Sequence, residues 1–122
     1  MLKKIAVVIF LLFILELFLG CIDSNLDIEK NIVGVWENNN GDKWTFTSEG
    51  KLIMSQFDYD IDYWVDNQSY LWSKFVGDEL ELKYSVKFDN KDRVIIQHLG
   101  IREFGIFYKD DETIPLSFTR IN

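Results

Sequence analysis

The sequence predicts an all-β fold, an antiparallel up-and-down meander of about eight or nine strands. Three observations carry this. Apolar and polar residues alternate with period two in segment after segment beyond Ile32. Clusters of Gly, Asn and Asp separate those segments at intervals of about 8–12 residues. Aromatic residues make up 16% of the 122 residues, with 4 Trp among them, and such side chains suit a pleated, half-buried surface. No long helical pattern interrupts this part of the chain.

The residues before the meander are of another kind. Lys3 and Lys4 form a positive n-region, and Ile5 to Leu15 is an unbroken apolar run, within the ~7–15 residues of a signal h-region. This is the one helix the sequence predicts, a hydrophobic signal helix over residues 1–20. Leu17-Phe18-Leu19-Gly20 then leads into Cys21, the only Cys, so no internal disulfide framework can form. A small residue before Cys after an apolar run resembles the lipobox of prokaryotic lipoproteins. The resemblance implies cleavage before Cys21, a lipid on its thiol, and a domain held at the cell membrane facing away from the cytoplasm. An uncleaved anchor is the alternative, although Ile5 to Gly20 spans only about 24 Å as a helix, against a ~30 Å hydrocarbon core. A secreted soluble form is the third reading. Residues 21–31 are the lipidated Cys and a tether, and 32–122 the domain. Within the tether, Asn25 to Lys30 can form one helical turn capped by Asn25, with Leu26 packed beneath.

The first strand opens at Gly34-Val35-Trp36. A hairpin follows, and its register can be derived. Trp44 and Phe46 alternate with Lys43, Thr45 and Thr47, and Leu52 and Met54 alternate beyond the turn. A two-residue loop would pair Phe46 with Ile53. A three-residue loop, Ser48-Glu49-Gly50, pairs Phe46 with Leu52 and Trp44 with Met54, and places Gly50 where a left-handed residue is needed. The second register is preferred, because a one-residue slip turns the apolar set toward water.

Phe57, Tyr59, Ile61, Tyr63 and Val65 share one face of the next predicted strand, with Asp58, Asp60, Asp62 and Trp64 on the other. Asp66 to Ser69 is a turn, Tyr70 to Val76 a strand, and Gly77-Asp78 a turn. Leu80, Leu82, Tyr84, Val86 and Phe88 alternate with polar residues in the clearest strand of the chain. Val94-Ile95-Ile96 reads as a strand buried on both faces, or bulged, that ends at Gly100. Phe104, Ile106 and Tyr108 are placed on the inner face of a following strand, and Leu116 and Phe118 on that of the last.

Such a meander must close on itself or pair with a second sheet to hide its edges. Gly34-x-Trp36 on the first strand and Arg120 on the last resemble the calycins, which include lipocalins, fatty-acid-binding proteins and avidins. The resemblance implies an up-and-down barrel with Trp36 at one end and Arg120 across its ring in a cation–π contact. Small prokaryotic lipocalin-like lipoproteins of unknown role are similar in outline. A β-sandwich or an open sheet is the alternative architecture.

Sites of chemistry are sparse. Asp58-x-Asp60-x-Asp62 lacks the Gly and Glu of a calcium loop, whose places fall on Tyr63 and Ser69, and carboxylates on one strand face stand ~6.6 Å apart. His98 is the only His, so neither a zinc site nor a Ser-His-Asp triad is expected. Asp78, Glu79 and Glu81 sit at a turn, where acids are solvated. No catalytic residue, metal or cofactor is assigned. The formal net charge of −7, more negative still without the leader, disfavours nucleic acid and anionic lipid headgroups as partners. Trp64, among aspartates on the wet face, is the candidate contact residue. The expected function is a non-catalytic packed barrel acting as an interaction or envelope module. A lipocalin-like carrier of a small apolar ligand is the alternative. Trp36, Trp44, Phe46, Tyr59, Tyr63, Tyr84 and Phe88 are all placed inward, and an eight-stranded barrel is just wide enough for side chains to fill it.

Overall fold

The alternation becomes nine strands and one helical turn in the computed structural model, which describes residues 27–121. The leader helix, Cys21 and the Asn25–Leu26 cap lie outside the described residues. Helix α1 is Ile28–Asn31. The strands are β1 Gly34–Asn38, β2 Lys43–Phe46, β3 Lys51–Met54, β4 Ile61–Val65, β5 Leu71–Phe75, β6 Leu80–Asn90, β7 Arg93–Glu103, β8 Ile106–Lys109 and β9 Leu116–Ile121.

Strands β1 to β7 pair in sequence, all antiparallel. Strand β9 then bonds both β1 and β7, and that double pairing closes eight strands into a barrel. Neither a sandwich nor an open sheet forms. β7 offers one edge to two strands in succession. Arg93 to Ile96 face β9, and Gly100 to Glu103 face β8. Among the described residues β8 has no further neighbour, so it is an edge outside the ring.

The first hairpin has the three-residue register. Phe46 faces Leu52, Trp44 faces Met54, and Gly50 has φ of 81°. Inside the barrel the aromatic rings meet one another. Trp44 lies 4.8 Å from Phe118 and Phe46 5.0 Å from Tyr63, centre to centre, with Trp36 against Phe88 at 6.0 Å and Trp44 against Tyr84 at 6.5 Å. Each of these buried side chains contributes roughly 1.5–3 kcal/mol through lost water contact.

One end of the barrel is stoppered. Ile32, just after α1, is fully buried, and its carbonyl accepts the Trp36 indole N–H at 2.8 Å. The Arg120 guanidinium lies 4.3 Å from the Trp36 ring centre. It donates to the carbonyls of Asn31 at 2.7 Å, Val33 at 2.9 Å and Lys91 at 3.1 Å. One side chain thus ties the segment after α1 to the β6–β7 turn. Gly34 makes room for it: φ there is +139°, and a Cβ would stand 2.5 Å from Arg120 Nη1.

Several sequence expectations are corrected. Tyr59 and Phe57 do not point inward; both are exposed. β3 pairs with β4 only through Lys51 and Leu52, so the chain before Ile61 leaves the sheet and no neighbouring strand covers it. Phe104 falls in the β7–β8 turn with φ of 51°, and Ile106, Tyr108 and Leu116 are exposed as well, because the ring does not continue past β8. Gly100 does not end β7. A Cβ there would collide with the Tyr108 carbonyl and the Phe107 ring, so the Gly permits close packing of β8 rather than a break.

Gly34→Ala is expected to lower stability by about 2–3 kcal/mol in urea denaturation, through the strained φ and the displaced guanidinium. Gly41→Ala, where φ is also positive (+83°) but nothing lies within 4 Å, is the control. It is expected to cost only about 1 kcal/mol.

Candidate docking face at the open end of the barrel

The end opposite α1 carries the β1–β2, β3–β4, β5–β6 and β7–β8 connections. The 110–115 segment joins them, since β9 runs past the end of β1 once the Asn38–Phe118 pair is made. This open end collects exposed apolar side chains. Phe57 and Tyr59 stand in the β3–β4 loop, Val76 after β5, Phe104 in the β7–β8 turn, and Ile114 before β9. Tyr59 meets Phe57 at 5.9 Å and the edge of Phe75 at 5.4 Å. With Val76, Gly77 and Asp78 these two rings line an open groove of about 510 Å³. Ile106 and Tyr108 extend the apolar rim along β8.

The same connections are acidic. Residues 39–42 contribute Asp42, residues 55–60 Asp58 and Asp60, residues 76–79 Asp78 and Glu79, and residues 110–115 Asp110, Asp111 and Glu112. None of these connections contains Lys or Arg. Two cations nearby are engaged: Lys51 bonds Asp60 at 2.9 Å and Asp62 at 2.6 Å, and Lys109 lies 3.2 Å from Asp111. Apolar and acidic groups therefore share one end of the molecule.

Strand β8 is fixed to the barrel by its outer face. Phe107 lies over Gly100 and meets Trp72 edge-on at 6.4 Å. Trp72 is nearly buried although it points outward, because its neighbours cover it. Trp64 stacks on it at 6.3 Å with planes 3° apart, and the Arg102 guanidinium lies 4.2 Å from its ring centre. Arg102 also grips Glu81 with two bonds of 2.9 and 3.0 Å, and the Trp72 indole donates to Asp66 at 2.8 Å. Lys83 sits over Tyr70 at 4.0 Å and near Phe107 at 5.1 Å. Trp64 thus spends one ring face inside the molecule, on the side of the barrel rather than at its open end.

Two acids feel this network. The Arg102 bond holds the Glu81 carboxyl below its ordinary range, against a smaller opposing effect of burial. Burial alone would raise Asp66, but the Trp72 indole, the Tyr70 and Gln68 amides and the Lys83 charge together lower it.

Among the other residues singled out from sequence, His98 lies inside the barrel with its ring 5.5 Å from Tyr84. Its Nδ1 is 3.8 Å from an Asp110 oxygen, and its Nε2 has no hydrogen-bond partner, nor does the buried Trp44 indole N–H. Asp60 and Asp62 turn to Lys51 rather than toward a shared centre. Among the described residues no group of three or more His, Cys, Asp or Glu is placed to hold a metal ion. Trp36 and Arg120 meet at the stoppered end, not at the open one. The rim and the free edge of β8 were not singled out from sequence. The signal for them is Gly100, an in-strand Gly opposite an aromatic-rich segment, followed by the Phe104-Gly105 turn.

Glu81→Gln is expected to cost about 1 kcal/mol at neutral pH, a modest figure because Arg102 is partly exposed and screened. A lowered carboxyl pKa contributes stability above the unfolded value near 4.5 and loses it as acid protonates the folded form. The difference between wild type and variant is therefore expected to shrink below that pH in paired thermal melts.

Comparison of the chain with protein-family models, with curated proteins and with solved structures finds no match. The barrel itself is compatible with a lipocalin-like fold.

Proposed function

We propose that this chain is a membrane-tethered, non-catalytic interaction module whose docking face is the open end of the barrel. The observation that carries this reading is a segregation. Inward aromatics are spent on one another, while most of the exposed large apolar side chains gather at one end, on or beside connections rich in carboxylates. Exposed apolar clusters with polar rims are the usual mark of a contact surface.

The tether adds direction. Cys21, the lipid attachment point proposed from the lipobox, precedes Asp27 by six residues, a reach of roughly 13 Å if flexible. The chain enters the barrel at its stoppered end. A lipid on Cys21 would keep that end toward the cell membrane and turn the open end outward, to a second protein of the envelope.

The lipocalin-like alternative, uptake of a small apolar ligand, draws on two observations. The groove beside Tyr59 and Phe75 leads from the apolar rim, and the Trp44 indole N–H is a buried donor without a partner.

A photo-crosslinking residue in place of Phe104 is expected to give a discrete protein adduct in cells, and one in place of Glu49, at the stoppered end, is not. Equal adducts from both positions, or from Glu49 alone, would contradict the docking face. Cys21→Ser is expected to move the chain out of the membrane fraction and abolish the Phe104 adduct. Unchanged membrane partition would contradict the lipid tether.

A further inference from the structure

We propose that the partner enters as an extended, cationic peptide segment that adds a strand to the free edge of β8. This rests on the docking-face reading above and names its chemistry.

The edge follows from register. Ile106 pairs with Glu103 across a two-residue turn, Phe104-Gly105, and both turn residues have positive φ. Such a turn is flanked by a hydrogen-bonded pair. Bonding then alternates, so Ile106 and Tyr108 direct their backbone groups to β7. The Asp110 N–H continues the series by donating to the Leu99 carbonyl at 2.9 Å. Phe107 and Lys109 therefore direct N–H and C=O away from β7, toward an edge that no other strand among the described residues occupies. Unpaired edge groups are a template for an added strand.

The edge is rigid before anything binds. Phe107 is clamped between Gly100 and Trp72, so little ordering remains to be done on association. An added strand would lay its side chains alternately beside Ile106 and Tyr108 on the rim and beside Phe107 on the outer wall. Apolar residues suit both places.

Charge selects the occupant. The connections around the rim hold carboxylates and no cation; of the cations close to β8, Lys109 and Arg102 are paired with Asp111 and Glu81, and Lys83 is drawn back over the Tyr70 ring. A second copy of this chain paired on this edge would set one acidic rim beside another, and an anionic lipid surface would meet the same repulsion. A segment in which Lys or Arg alternates with apolar residues satisfies the backbone edge, the rim and the acids at once.

The test uses the detergent-solubilised full chain and a peptide of roughly ten residues alternating Lys and Val, titrated by calorimetry at about 150 mM salt. The Lys109 N–H points outward, so Lys109→Pro removes an edge donor while leaving the β7 bonds in place. Lys109→Val removes the same charge and keeps the donor. The Lys/Val peptide is expected to bind wild type and Lys109→Val alike, or the variant more tightly, and Lys109→Pro at least about tenfold more weakly. A Glu/Val peptide is expected to bind wild type at least about tenfold more weakly than its Lys counterpart. Equal binding to the Pro and Val variants overturns edge pairing, and equal binding of the two peptides overturns the charge selection. No binding of the Lys/Val peptide overturns the proposal while leaving the docking face to the crosslinking result. Should Lys109→Pro fail to fold, amide exchange in wild type decides: peptide is expected to slow Phe107 and Lys109 more than Ile106 and Tyr108, and the reverse order contradicts the pairing.

Discussion

Everything in this molecule depends on strand β9 bonding two neighbours at once. Its pairing with β1 and β7 turns a meander with two raw edges into a ring in which backbone donors and acceptors are satisfied laterally. Closure also decides which side chains are inside. Once the ring shuts, the period-two alternation of every strand sorts into an inner and an outer set, and the large inward rings have only one another to pack against. Arg120, the last charged residue of β9, extends the same constraint past the ladder by holding the carbonyls of Asn31, Val33 and Lys91. A single strand therefore closes the wall and fastens the stopper.

The ring leaves one strand out, and the functional reading follows from that remainder. β7 is longer than β9 can cover, and its surplus edge goes to β8. An exposed β edge with apolar residues is ordinarily an aggregation hazard. Here it is short, it ends in the Asp110-Asp111-Glu112 run, and its outward Phe107 packs over Gly100 against Trp72. Those features restrict what can pair with it without covering it. In the proposed reading the acids that select a cationic segment also repel other copies of the chain, so one set of residues serves both ends.

Local pattern made much of this legible. The first hairpin could be derived to the residue, because Gly50 and the Trp44–Met54 and Phe46–Leu52 pairs admit one register that keeps all four apolar groups together. Leu80 to Phe88, most of β6, announced themselves by alternation, while the strand runs on to Asn90. Tyr59 shows where such reasoning stops. It continues the alternation of β4 without a break, yet it is exposed, because alternation records which face a residue would take and not whether a neighbouring strand reaches that far. The same holds for Ile106 and Tyr108, whose inward parity is real but whose cover is missing. Gly100 was ambiguous by nature: a Gly inside a strand marks either an end or a close approach, and only the position of Phe107 distinguishes them. Trp64 was legible as an outward Trp, but its stacking on Trp72 needs the cross-strand register, which a single strand does not contain.

In the proposed reading, inward rings that fill the interior move the function of this barrel from its centre to its rim. The direct measurement is titration of the purified protein with a fluorescent long-chain fatty acid, followed by energy transfer in a variant that keeps Trp44, the aromatic at the middle of the inward cluster, as its one tryptophan, with Trp36, Trp64 and Trp72 replaced by Phe. A filled interior predicts no saturable one-to-one uptake by wild type and no change in the variant's Trp44 emission. Stoichiometric binding that quenches Trp44, and that survives substitution of the rim residues Phe104 and Tyr108, would place a ligand inside the barrel and contradict it.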